Sequence, residues 1–455
     1  MGLSRLAPGD PRQLGDYWLA GRLGAGGQGV VYEGYAPDGT RVAVKTLHGD
    51  GLRAGFAKEV EAARRVSSFC TARILAADLD GERPYVVSEY VPGPDLQRAV
   101  ESSGPFGADD LHRLAVGVAT ALVAIHQAGV VHRDLKPANV LLGPGGPRVI
   151  DFGIARTEEM SRSATGQFKG TPRYMAPEMF RGERAGPQAD VWAWGALVVF
   201  AATGRPPFAG DQLPVLMRNV LHTEPDLGPL PEPLRDTVAA ALSKDPAARP
   251  SARHVLLTLL GGAGGETARL LEQGDRAAGG TGAAVRTTDS VPSLGERAEE
   301  VYARLTPEAR EAVPRMLLRL VVPGGAAEDT LRRADAREFD DGRTDPRAVA
   351  AVLDVFAAGG LLVRDDQGVT LATAALLRAW PRLRAWVDAE RDGLPVHRAL
   401  TDAALLWDRH GRRPSDLYQG TPLDRALRWA ATGRRNATLN VVENAFLDAC
   451  AALTR

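Results

Sequence analysis

Cysteine is almost absent from this 455-residue chain: Cys70 and Cys450 stand far apart, with no His/Cys cluster beside either. A disulfide framework or a zinc site is therefore not expected, and a reducing compartment fits. Lysine is scarce too, five residues against fifty arginines, a bias that decides nothing about mechanism. No run of about 18 apolar residues occurs, so no membrane span is expected; the stretch from Val191 to Thr203 is too short. Pro8, Asp10 and Pro11 interrupt any signal-peptide core, and Leu6 stands where a myristoylation motif wants Ser or Thr. Excess charge is also missing: a formal net charge of −1 gives no global attraction to nucleic acid or to an anionic membrane. The expectation is a soluble cytoplasmic protein of two to four domains with true cores.

What is present begins with Val131-His132-Arg133-Asp134-Leu135-Lys136-Pro137-Ala138-Asn139-Val140-Leu141, followed twelve residues after Asn139 by Asp151-Phe152-Gly153. Two carboxylates, an amide and a lysine thus sit on loops between short apolar runs. That donor set suits metal-assisted phosphoryl transfer: one acid orients the attacking hydroxyl, while the amide and the other acid hold Mg²⁺ against phosphate oxygens. These residues resemble the catalytic loop and metal-binding turn of bacterial eukaryotic-like Ser/Thr protein kinases. The resemblance implies a bilobal α+β protein-kinase fold over residues 16–260, Mg²⁺-ATP as phosphoryl donor with Mn²⁺ as a substitute, and protein substrates.

In chain order, residues 1–15 read as a loose lead-in. Leu23-Gly24-Ala25-Gly26-Gly27-Gln28-Gly29 precedes two strand patterns, Val30–Gly34 and Arg41–Lys45, across an Asp38-Gly39 turn. A dinucleotide fold would put a helix after such glycines; glycines in a hairpin instead let backbone amides lie over phosphates. By the resemblance, Leu23, Gly24, Gly26, Gly29, Val31 and Ala43 line the ATP site, and Lys45 holds the α- and β-phosphates. Glu59 would be its ion-pair partner, with Glu61 pointing elsewhere by helical spacing. Ser88 would gate the pocket behind adenine, while Glu89 and Val91 offer backbone groups to the base. Asp134 and Lys136 are the catalytic-loop pair, and Asn139 and Asp151 the metal ligands. A polar segment holding Ser161, Ser163 and Thr165 is the expected activation segment, with Arg133 ready to accept a phosphate. Thr171, together with Lys136, is the Ser/Thr rather than the Tyr pattern. Asp190 would brace the catalytic loop, and Arg249 would pair with Glu178 in a structural salt bridge.

Residues 261–295 are rich in Gly, Ala, Thr and Arg and read as a flexible linker, with some helix near Glu266–Glu272. From Glu296 onward, helical periodicities are followed by Leu361–Arg364 and Val369–Leu371 flanking Asp365-Asp366-Gln367-Gly368, a hairpin signature. Helices and a small hairpin predict a winged-helix-like domain at 296–372, then a helical domain at 373–455. Leu371-Ala372-Thr373-Ala374-Ala375-Leu376-Leu377-Arg378-Ala379-Trp380-Pro381 is similar to a stretch of bacterial STAND-type signalling NTPases that joins their winged helix to sensor repeats. Thr373 and Ala374 stand where that family has a His-Glu pair, and no P-loop occurs in the chain. A protein-interaction or regulatory module with an unnamed partner is expected. The third helix is too apolar to read DNA, and Trp380, Trp386, Trp407 and Trp429 read as core. A homodimer is left open. The competing function is a kinase-shaped scaffold whose C-terminal module binds signalling partners; the intact Lys45, Asp134, Asn139 and Asp151 weigh against it.

Overall fold

The structure, a computed structural model, describes residues 4–26, 29–47, 60–66, 70–151, 172–232, 234–262, 267–279, 292–324, 329–432 and 434–453. Contacts divide the chain into two compact units. The first comprises Met1–Ser4, Arg22–Glu33 and Val42–Val291, the second Arg5–Gly21, Gly34–Arg41 and Pro292–Arg455.

Near the N-terminus run β1 (Gln13–Leu14), β2 (Tyr17–Gly26), β3 (Gly29–Tyr35), β4 (Arg41–Thr46), β5 (Ile74–Asp78) and β6 (Tyr85–Glu89). They form one six-stranded sheet ordered β1-β2-β3-β4-β6-β5. In β4, Val42 and Val44 are fully buried while Ala43 between them is half-buried, the period-2 alternation of a strand with one covered face. Antiparallel pairing of β4 with β6 sets Ala43 opposite Ser88 and Lys45 opposite Val86.

The helices of the first unit are α1 (Leu96–Ser103), α2 (Ala108–Gln127), α3 (Pro177–Phe180), α4 (Pro187–Thr203), α5 (Leu213–His222), α6 (Leu234–Ala241), α7 (Ala252–Leu259) and α8 (Thr267–Ala278). α2 and α4 are apolar on nearly every face, as helices enclosed by others must be, and α4 buries Trp192 and Trp194. Asp109 and Asp110 in the first turn of α2 and His126 in its last complement the helix dipole. Between α2 and α3 lies the hairpin β7 (Val140–Gly143) and β8 (Gly146–Val149), with Val140 opposite Val149.

Two sequence expectations change here. Residues 4–15 are more than a lead-in: they include β1, and Leu14 is buried. The presumed linker 261–295 contains α8, longer than the expected stretch of helix, with Leu270 and Ala278 in the core of the first unit. The physical reason is small residues: a Cβ on Gly274 would lie 2.1 Å from the Thr120 hydroxyl, so glycine there allows α8 to press against α2. The Cys70 thiol, 3.0 Å from Asp275 Oδ1, fastens the same helix.

In the second unit follow α9 (Leu294–Ala303), α10 (Pro307–Leu318), the ribbon β9 (Val321–Val322) and β10 (Thr330–Leu331), α11 (Pro346–Ala358), and the hairpin β11 (Leu362–Asp365) and β12 (Gly368–Leu371). Then come α12 (Leu376–Ala379), α13 (Pro381–Glu390), α14 (Leu394–Arg409), α15 (Thr421–Thr432) and α16 (Val441–Leu453). A Ser293/Glu296 capping box starts α9, three residues before the expected domain boundary. Trp380, Trp407 and Trp429 are buried and Trp386 packs against Trp380 edge to face, as core residues. Glu443, wholly buried, accepts both terminal guanidinium nitrogens of Arg319 at 2.9 Å and the Thr401 hydroxyl at 2.6 Å. That network ties the residue after α10 to α14 and α16, and the Arg319 charge holds the Glu443 carboxyl far below its ordinary range despite burial.

Candidate active site

The β7–β8 hairpin is what brings the candidate site residues together. Its antiparallel pairing places the residue before β7 next to the residue after β8, and the Ile150 amide donates to the Asn139 carbonyl at 3.0 Å. Asn139 and Asp151 therefore flank the open end of one tight ribbon. Asn139 Nδ2 donates to the Asp134 carbonyl at 2.8 Å and approaches Asp134 Oδ2 at 3.5 Å. Lys136 Nζ lies 2.7 Å from Asp134 Oδ2, and Lys45 Nζ lies 2.9 Å from Asp151 Oδ2.

The loop is held in a costly shape. Arg133 has φ 63° and Asp151 φ 60°, left-handed values that side chains other than glycine seldom adopt. Asp190 explains how Arg133 stays there: its Oδ1 accepts the Arg133 amide and its Oδ2 the His132 amide, both at 2.8 Å. His126 Nε2 sits 2.8 Å from the same Oδ2. Burial holds the His132 imidazole below its ordinary value, against the pull of Asp190 and Asp134, and its Nδ1 accepts the Asp134 amide at 3.4 Å.

Across the sheet, Leu23, Gly24, Val31 and Ala43 are half-buried, Gly26 is exposed and Gly29 is buried. Gly29 has φ +151°, and a Cβ there would meet the Thr46 carbonyl oxygen at 1.7 Å, so no other residue fits. The Thr46 hydroxyl bridges both backbone groups of Val30, donating to its carbonyl at 3.1 Å and accepting its amide at 3.3 Å. Ser88 is half-buried between Ala43 and Ile74, Val91 is buried, and the Glu89 carboxylate stands 3.8 Å from both Arg73 and Arg148. Farther down, Arg249 grips Glu178 with two parallel bonds of 2.7 and 2.8 Å, both residues buried. A shallow cleft beside Asp134 and Lys136 is lined by Tyr174, Met175 and Met179. Glu59, Phe152, Gly153, Ser161, Ser163, Thr165 and Thr171 lie outside the described residues. Sequence reading passed over Thr46 and His126; each is adjacent to a singled-out feature, but its partner is remote in the chain.

The metal question turns on the donors. Among the described residues no group of three or more His, Cys, Asp or Glu could hold a metal ion. Asn139 and Asp151 supply hard oxygen atoms from one amide and one carboxylate. Such a pair fits a hard divalent ion whose remaining positions are filled by water and substrate phosphates.

The protein kinase domain family model matches residues 17–259. The chain belongs to that family. Its kinase domain is 43% identical over 260 residues to the probable serine/threonine-protein kinase PkwA of Thermomonospora curvata, covering 56% of this chain and 35% of that one. It is 44% identical over 256 residues to the serine/threonine-protein kinase AfsK of Streptomyces coelicolor, covering 55% and 32%, and 44% identical over 258 residues to AfsK of Streptomyces griseus, covering 54% and 32%. The chain thus spans about a third of the length of these relatives. A second model, novel STAND NTPase 1, matches residues 231–415, downstream of the catalytic loop of the kinase domain. Protein kinases use ATP with a divalent metal, and no helix among the described residues is long and apolar enough to cross a membrane.

Proposed function

We propose that the chain is a serine/threonine protein kinase that phosphorylates protein hydroxyls, its own included, under the control of its C-terminal module. The observation that carries this reading is the joined set Lys45–Asp151 and Lys136–Asp134–Asn139, with Asp190 bracing the loop beneath it. Asp134 orients the substrate hydroxyl and takes its proton as the oxygen attacks the γ-phosphorus. Lys136 beside it offsets the negative charge of the transferring group, and Lys45 positions the α- and β-phosphates. Asn139 and Asp151 would hold Mg²⁺, or Mn²⁺ in its place, which would supply charge neutralisation at the phosphates while ADP is the leaving group. Glu59 is the proposed partner that orients Lys45, and Ser88, Glu89 and Val91 frame the adenine site.

The order helix, helix, ribbon, helix, hairpin supports a winged-helix reading of the region after Ser293. We assign that region and the helices after it a regulatory role toward a protein partner, with no nucleic acid and no membrane involved, and set the protein in the cytoplasm, where its two buried cysteines are at home. Incubating the full chain with ATP and Mg²⁺ or Mn²⁺, then identifying the phosphorylated residue types, tests the activity. Phosphate on serine and threonine is expected; no incorporation with either ion, or incorporation confined to tyrosine, would overturn it.

A further inference from the structure

The strand that carries the nucleotide-covering glycines is gripped at its other end by residues far downstream in the chain. Arg5–Gly21 and Gly34–Arg41 belong to the same compact unit as Pro292–Arg455. Within that unit, the Thr373 hydroxyl donates to the Leu19 carbonyl at 3.0 Å. The Arg378 guanidinium lies 4.1 Å over the Trp18 ring and donates to the carbonyls of Asp16 and Tyr35. The Tyr35 hydroxyl accepts the Leu294 amide at 2.8 Å, and Trp18 and Tyr35 are buried in the apolar core that also holds Trp380. An aromatic face under a guanidinium, with backbone carbonyls as its other partners, makes a specific, partly desolvated grip.

β2 runs unbroken from Tyr17 to Gly26, and β3 from Gly29 to Tyr35. The gripped residues are the outer ends of these two strands; the inner ends are Leu23-Gly24-Ala25-Gly26 and Gly29-Val30. Glycines have no side chains with which to fix their own position, so the lip over the phosphates takes its placement from the strand stretches that flank it. We propose that Thr373 and Arg378 are positioning residues for ATP binding: by holding the outer ends of β2 and β3 they set the glycine-rich lip. The module that looks like an appended regulator then acts on ATP binding through the two strands whose outer ends it holds. A partner that pulled Thr373 and Arg378 away would lower ATP affinity without touching any residue that meets ATP. Thr373 stands where the resemblance to STAND-type proteins leads one to expect histidine, and its hydroxyl here is committed to the kinase strand.

The inference rests on the kinase reading, so its test is read by binding as well as turnover. In the full chain, Thr373→Val, Arg378→Met and the conservative Thr373→Ser are compared with the parent. The measurements are the Kd for a non-hydrolysable ATP analogue, the KM for ATP and for a peptide, and hydrogen exchange of the β2 amides. Expected is a loss of analogue affinity and a rise in KM for ATP of roughly fivefold or more in Thr373→Val and Arg378→Met, the lower range of ordinary coupling between sites. KM for the peptide should stay within about twofold, the β2 amides should exchange faster, and Thr373→Ser should behave as the parent. Unchanged analogue affinity in folded Thr373→Val and Arg378→Met, or a drop in kcat and melting temperature alone, would overturn the inference. Analogue binding that responds as expected in a chain showing no phosphoryl transfer would sink the kinase reading and leave this one standing.

Discussion

Arg249→Met removes the centre of a buried ion pair in the first unit. The guanidinium donates to both Glu178 oxygens at 2.7 and 2.8 Å, to the Ser243 carbonyl at 2.8 Å and to the Gln188 carbonyl at 3.0 Å. It also lies 5.0 Å over the Trp192 ring. Side-chain exposures of 0% for Arg249 and 5% for Glu178 mean that water cannot take over those bonds. Methionine fills much of the volume but leaves Glu178 a buried charge without its counter-ion, and two carbonyls without their donor. Breaking one side of such a pair costs about 3–5 kcal/mol. For a domain of this size each kcal/mol lowers Tm by about 2–4 °C, so a fall of roughly 6 to 20 °C is expected. Replacing both residues, Glu178→Leu with Arg249→Met, should recover a large part of that loss, because the stranded charge is gone. The assay is urea and thermal unfolding of the parent, both single variants and the double variant. A single variant as stable as the parent, or a double variant as unstable as the sum of the two singles, would refute the reasoning.

Ser88→Met should weaken ATP-site ligands bearing a large aromatic extension by about 1–3 kcal/mol through overlap, with ATP affinity little changed; paired Kd measurements decide it, and equal inhibitor affinity means the space behind adenine is closed. Burial keeps His132 and His397 below the ordinary imidazole value. The unfolded chain protonates both near pH 6.5 and the fold only at lower pH, so their contribution to stability is complete above about 6.5 and falls as pH drops through it. The urea midpoint should therefore fall between about pH 7.5 and 5.5, and His132→Gln with His397→Gln should flatten that slope; an unchanged slope contradicts the assignment. Phosphate is expected on Thr165 or Ser163, with Thr171 serving structure or docking, and phosphopeptide mapping of fully active protein that finds the segment unmodified would remove that expectation.

The clustering of the candidate site residues was legible because its spacing is local. Asp134, Lys136 and Asn139 lie within six positions, and a short apolar hairpin fixes Asp151 beside them. Arg249 and Glu178 could be named as partners only by the resemblance, since they stand 71 positions apart and nothing between them announces the contact. Two features escaped. α8 read as a linker with only a short stretch of helix because its sequence is rich in small residues, and those residues are the ones that let it lie close on α2. The grip on β2 and β3 escaped because Thr373 and Arg378 reach residues 343 to 362 positions away through backbone carbonyls, which leave no trace in side-chain pattern.

The central claim is that Lys45 and Asp134 perform phosphoryl transfer from ATP. It is tested by transfer of labelled γ-phosphate to the chain itself and to a protein acceptor, with parent, Lys45→Ala and Asp134→Asn at matched purity and verified folding. Loss of a residue acting in positioning and charge stabilisation raises the barrier by several kcal/mol, so both variants should lose all but a trace of incorporation. Parental rates in either folded variant would contradict the account.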